Sequence, residues 1–114
     1  MKDIRDYLKK QPLLFDGGMG TYFASRNRTN HRDCEWANLS APEEIAAIHR
    51  AYLDAGCRAI KTNTYGVNRL HFPERDCSAM IREGWQIAGR FADSAYVFAD
   101  IGPIDAVDST DILA

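Results

Sequence analysis

The residues whose types and spacing could do chemistry fall in three short polar clusters: Asp16-Gly17-Gly18-Met19-Gly20-Thr21, Thr62-Asn63-Thr64-Tyr65 and Asp100-Ile101-Gly102-Pro103. An aspartate followed by glycines allows three readings. It is a phosphate-cradling loop, a plain turn capped by Asp16, or the rim of a small-ligand site. In the third reading Asp16 pairs with a cationic group while backbone N–H groups come close to the ligand, an approach that a side chain would block. The phosphate motifs are not met: no lysine completes GxxxxGK[ST], and the glycines fall as GGxG rather than GxGxxG. In the second cluster the threonines and Asn63 offer neutral donors and acceptors that could orient a polar substrate. The plainer alternative is a strand end with Asn63 bonding local backbone. Lys61, just before it, is read as a solvated or paired lysine rather than a Schiff-base nucleophile.

Other reactive side chains point less far. His31-x-x-Cys34 has a metal-like spacing but supplies two ligands, where a structural zinc takes four, so both are read as loop residues. His49 is read as a surface or core-edge residue and His71 as a loop residue. No nucleophile–base pair and no metal-ligand set emerges from spacing, so no catalytic and no metal residue is assigned.

The elements that must position these clusters alternate in type. Ile4, Tyr7 and Leu8 mark a short helix that Asp3 can cap and Pro12 ends. Leu13-Leu14-Phe15 reads as a buried strand, stopped by the glycines. Residues 24–39 read as a long polar loop. Ser40-Ala41-Pro42-Glu43 reads as a capping box, opening a helix with Ile45, Ile48, Tyr52 and Leu53 on one face and Gly56 as its stop. A strand then ends near Asn63 or Thr64. A second long helix is predicted over about 78–92, with Met80, Gly84, Ile87 and Phe91 on one side and Ile81, Trp85 and Ala88 widening the face. Tyr96–Ala99 is the third strand. The tail from Ile104 to Ala114 shows no element of its own.

This order predicts an α/β fold of about three parallel strands with right-handed crossovers. A complete (β/α)8 TIM barrel takes about 250 residues, so the 114 residues read as an N-terminal portion of one, a single partial domain over 1–114. Ligands gather at the carboxyl ends of strands in such folds, and all three polar clusters sit at such ends.

Composition excludes several classes. The chain is 46% hydrophobic and 26% charged with a net charge of -2, and it lacks the basic block or stripe that nucleic-acid binding calls for. Its apolar runs fall far short of the ~20 residues that cross a bilayer. The charged N-terminus is unlike a secretory signal. Three dispersed cysteines, an odd number, fit a reducing compartment and a cytoplasmic protein.

The stretches FDGGMGT, CEWANLSAPEEIAAIHRAYLDAGCRAIKTNTYGVNR and FADIGPI together resemble the start of the homocysteine S-methyltransferase family. The resemblance implies a TIM barrel that binds homocysteine at its strand ends. A zinc ion held by three cysteines of later strands activates the thiol for methyl transfer from a donor, giving methionine. Cys34, Cys57 and Cys77 do not stand in those cysteine motifs, so zinc has no ligands assigned here. Carried over residue by residue, Asp16 matches the aspartate near the homocysteine amino group. Gly17, Gly18, Met19, Gly20 and Thr21 match the loop beside it, and Thr62, Asn63 and Thr64 match the second strand end. Lys61 departs from the family, where an acid or glutamine is common, and Trp36-Ala37 replaces a common acid–leucine pair. The expectation is a chain that contributes part of the homocysteine site and has negligible activity by itself. The rival expectation is an inactive truncated fragment that self-associates through exposed sheet edges.

Overall fold

Short apolar segments at 59–61 and 96–98 pair as a parallel sheet, and the computed structural model, which describes residues 1–27 and 33–104, builds everything else around it. In chain order the elements are α1 (Ile4–Lys10), α2 (Gly20–Asn27), α3 (Ala37–Ser40), α4 (Pro42–Asp54), β1 (Ala59–Lys61), α5 (Cys77–Gly89) and β2 (Tyr96–Phe98). Ala59 lies opposite Tyr96, Ile60 opposite Val97 and Lys61 opposite Phe98. On the other side of β1, Phe15 makes a single parallel bridge to Ala59. The Asp16 N–H donates to the Ala59 carbonyl (2.9 Å) and the Ala59 N–H to the Leu14 carbonyl (3.2 Å). The predicted first strand is thus reduced to a bridge. Pro12 has no N–H to extend the ladder upstream, and the glycines end it downstream.

Side chains alternate across a strand, and the two faces of β1 differ accordingly. Ile60 is fully buried in a core with Ile45, Ile48, Leu53, Ile87, Phe91 and Phe23. Val97 packs against the same core. The opposite face carries Phe15 against Phe98 (ring centroids 4.9 Å apart) and the Lys61 ammonium over the Phe15 ring. α1, capped by Asp3 as expected, buries no residue; it is held where Tyr7 meets Tyr96 edge-on and the Tyr96 hydroxyl donates to the Lys2 carbonyl at 2.6 Å.

α4 begins differently from the predicted capping box. Its N-cap is Ala41, with no side-chain cap. Ser40 closes α3 instead, its N–H donating to the Trp36 carbonyl at 3.2 Å, so it is already helical and cannot act as a cap. Pro42 in the first turn, followed by Glu43 and Glu44, starts the helix by fixed φ and by charge at the positive end of the dipole. Gly56 does stop it, at φ +114°. The Cys57 N–H reaches the Tyr52 carbonyl and the Gly56 N–H the Leu53 carbonyl, the paired bonds of a Schellman turn.

The expected loop over 24–39 is also corrected. α2 runs to Asn27, with Phe23 buried and Tyr22 against Tyr52, and α3 occupies Ala37–Ser40. Two adjacent aromatics give no helical period to read, yet they suffice once α4 is there to cover them. α5 is shorter than predicted and is capped by Asp76, whose carboxylate accepts from the Ala79 N–H at 3.0 Å. Met80, Gly84, Ile87 and Ala88 of α5 are buried, whereas Ile81 and Trp85 are about half exposed. No described helix is long and apolar enough to cross a membrane. The predicted lack of an element after Ile104 concerns residues outside the described ones.

Candidate functional site

The carboxyl ends of β1, β2 and the bridging segment meet in a cleft of about 370 Å³. It is lined by Asp16, Gly17, Gly18, Met19 and Gly20 from the first loop, by Thr62, Asn63, Thr64 and Tyr65 after β1, and by Lys61, Glu35 and Asp100. All three clusters predicted from sequence therefore reach one space, the third through Asp100. Thr21 does not line it. It sits exposed in the first turn of α2, its hydroxyl against Gly18.

The loop is fastened from outside. The Tyr52 hydroxyl donates to the Gly18 carbonyl at 2.6 Å, and its ring lies so close to Gly17 that a Cβ there would come within 2.9 Å of the hydroxyl oxygen. Sequence reading passed over Tyr52 as one more apolar position of α4. Burial raises its phenol pKa first, with Asp16 adding to the effect.

Asp16 carries a buried charge in the cleft, its side chain 3% exposed. Its cation is internal. The Lys61 ammonium pairs with one carboxylate oxygen, and the Lys61 N–H donates to the other at 3.1 Å. The same ammonium lies 3.3 Å from the Asp16 carbonyl. Lys61 is 35% exposed at its side chain, so the pair is buried at the acid and wet at the amine. Burial pushes the Asp100 carboxyl up, Lys61 opposing and Asp16 reinforcing the effect.

The second cluster forms a wall whose polar atoms are already bonded. The Asn63 amide donates to the Cys34 carbonyl (2.8 Å) and the Asn38 side-chain oxygen (2.9 Å), and its own oxygen faces the Cys34 thiol at 3.1 Å. Asn38, 1% exposed, donates in turn to the Asn63 and Met80 carbonyls at 2.8 and 3.0 Å. The threonines close a ring with Asp100. The Thr64 hydroxyl donates to the Asp100 carbonyl at 2.7 Å, and the Asp100 N–H donates to the Thr62 hydroxyl oxygen at 3.0 Å. The proton of Thr64 being spent, Thr62 donates to Thr64 across 2.7 Å. Asn38 stands in the stretch that carries the resemblance, where it has no role assigned; its signal is a lone amide between Ala37 and Leu39.

His49 and His71 stand apart from this chemistry. His49 is fully buried and stacks edge-on with Phe91, so it is a core residue rather than a surface or edge one. His71 is in the loop after β1, its Nδ1 3.0 Å from the Gly66 carbonyl. Of the His31–Cys34 pair, His31 lies outside the described residues. Among the described residues no group of three or more His, Cys, Asp or Glu could hold a metal ion. Two of the cysteines are also placed away from any such role. Cys34 and Cys57 are buried, and burial pushes the Cys34 thiol up to about 12, away from the thiolate that a metal binds.

Comparison with known proteins gives the cleft a context. The family described as homocysteine S-methyltransferase matches residues 13–112. The methionine synthase of Mycobacterium tuberculosis (strain ATCC 25618 / H37Rv) is 32% identical over 118 aligned positions, which take in 89% of this chain and 10% of that protein. The methionine synthase of Mycobacterium leprae (strain TN) is 30% identical with the same coverage. The chain thus spans about a tenth of the length of these curated relatives. The matched span takes in the glycine loop, both strand ends and the helices that hold them, and the chain belongs to the homocysteine S-methyltransferase family.

Proposed function

We propose that the cleft is the amino-acid subsite of a homocysteine S-methyltransferase, and that residues 1–114 contribute part of a homocysteine-binding barrel domain. In the parent reaction the homocysteine sulfur forms a bond to a methyl carbon, the donor's bond to that carbon breaks, and the thiol proton is lost. The convergence of Asp16, Gly17–Gly20 and the end of β1 on one cleft at the carboxyl side of a parallel sheet carries this reading. Asp16 holds the substrate ammonium, as a buried carboxylate in a charge-assisted bond. Gly17, Gly18, Met19 and Gly20 bring backbone close to the substrate with Thr21 at the loop's far end. Thr62, Asn63 and Thr64 shape the opposing wall. The described residues do not fit zinc, so no step is routed through a metal here: this portion grips the amino acid.

Calorimetric titration of the chain with homocysteine tests the assignment. Asp16→Asn is expected to weaken binding by about tenfold or more, the usual scale for loss of a charge-assisted contact. Equal affinity in a variant with an unchanged circular dichroism spectrum would remove it.

A second reading, self-association, is favoured by one observation. Val67, Ile81, Trp85, Ile101 and Ile104 line an apolar cleft of about 380 Å³ beside β2, and Ile101 is 87% exposed. Contiguous exposed apolar surface of this kind marks an interaction site.

A further inference from the structure

Among the described residues that line the cleft Lys61 is the one cation; Asp16, Glu35 and Asp100 are its acids. Any ammonium that approaches Asp16 meets a carboxylate on which each oxygen already accepts a bond from Lys61, so it has to compete with the lysine charge. Any carboxylate that enters meets, among the described residues, three acids and a single lysine. We propose that Lys61 is the specificity-determining residue of the cleft: it closes Asp16 to simple amines and releases it to a zwitterionic α-amino acid, whose carboxylate the lysine takes as the ligand ammonium replaces it on Asp16. The proposal rests on the reading of the cleft as an amino-acid subsite.

Three features of the pair carry it. Asp16 is 3% exposed and cannot follow a ligand, whereas the Lys61 side chain is 35% exposed and has solvent to turn into. Four rotatable bonds let a lysine ammonium swing over several ångströms while its backbone stays in the sheet. Here the Lys61 N–H remains on Asp16 whether or not the ammonium does, so the carboxylate keeps its orientation through the exchange. The exchange itself is asymmetric in charge. A zwitterion turns one ion pair into two, with Asp16 on the ligand ammonium and Lys61 on the ligand carboxylate. An amine without a carboxylate would only exchange one cation for another on Asp16, turning Lys61 toward solvent with no second pair gained, and a carboxylate without an amine would strip Asp16 of its partner while buried, which is costly. The threonines and Asn63 offer no replacement donor, since their hydrogens are committed elsewhere.

Calorimetry on the full chain with three probes tests this: homocysteine, its decarboxylated aminothiol, and its deaminated thiol acid. The wild-type chain is expected to prefer homocysteine over either truncated probe by about tenfold or more. In Lys61→Gln the aminothiol binds more tightly than to wild type, and the preference for homocysteine over it falls to about unity or reverses. Lys61→Arg, which keeps the cation and spares Asp16 an unpaired burial, retains the preference. A wild-type chain that binds aminothiol and homocysteine equally overturns the proposal without any variant. So does a preference that survives in Lys61→Gln while Asp16→Asn still abolishes binding, and in that case the amino-acid subsite stands. Homocysteine binding that ignores Asp16, or no binding by any probe, overturns the subsite and the proposal together.

Discussion

At the scale of single residues, His49 is the one whose polarity goes unmet. Its ring is fully buried, and neither nitrogen finds a partner among the described residues. Burial depresses its pKa from 6.5 to about 4, with Asp16 pulling the other way. The unfolded chain therefore takes up a proton near pH 6.5 and the folded chain only near pH 4. Stability is full above the unfolded value and falls as pH drops through that window, by about 3 kcal/mol in all at ~1.36 kcal/mol per unit. His49→Leu is expected to raise stability at neutral pH by about 1 kcal/mol, since a buried unsatisfied ring is replaced by an apolar group. It should also flatten the acid limb. Urea midpoints at neutral pH and at two values inside the window check both, and parallel acid limbs would contradict the assignment. The sequence shows why this residue was misplaced: His49 stands four after Ile45 and one after Ile48, on the buried arc, but its polarity hides it from an apolar pattern. Asp16 was legible as a charge awaiting a cation. That the cation is Lys61 was not, because the register that brings residues 16 and 61 together is written in strand pairing rather than in local sequence.

At the scale of elements, α3 and α5 come closest at a glycine. A Cβ on Gly84 would lie 2.7 Å from the Asn38 amide nitrogen and 2.9 Å from the Thr64 methyl. Gly84→Ala gains roughly 1 kcal/mol of helix propensity and sets it against overpacking of about 1–3 kcal/mol. The Asn38 amide cannot retreat without losing its bonds to the Asn63 and Met80 carbonyls, so net destabilisation is expected. Gly89→Ala, on the same helix with open space around it, should be neutral or stabilising. Thermal unfolding of the two variants compares them directly; equal shifts would mean that α3 yields. Elements with a sustained apolar period, α4 and α5, were readable. α2 and α3 were not, because each is short and acquires its burial only from α4 and α5. The capping box failed for a related reason: Ser40 satisfies the motif but is already helical in α3.

At the scale of the whole molecule, the parallel arrangement of Phe15, β1 and β2 followed from alternation of apolar strands and helices, and the placement of polar clusters at strand ends followed from it. The lengths of the strands did not, since hydrogen bonding stops where Pro12 and the threonine ring intervene. Phe15 and Leu14 are 43% and 61% exposed at one side of the sheet, and Trp85 is 50% exposed near the other. We expect sedimentation velocity to show association that rises with loading concentration and weakens in Trp85→Lys. A monomer at every concentration would count against self-association.

The ring through Asp100, Thr62 and Thr64 begins and ends on the backbone of one residue. Every hydrogen in it points the same way round, from the Asp100 N–H through two hydroxyls to the Asp100 carbonyl. A closed circuit has no loose end to offer a visitor. A ligand arriving in the cleft meets two threonines that have no proton to give, so a stretch spelled as polar is chemically quiet on that side. Selectivity in the cleft then falls to the charges that line it, and replacing either threonine with valine would be felt as a break in the wall rather than as a lost contact to a ligand.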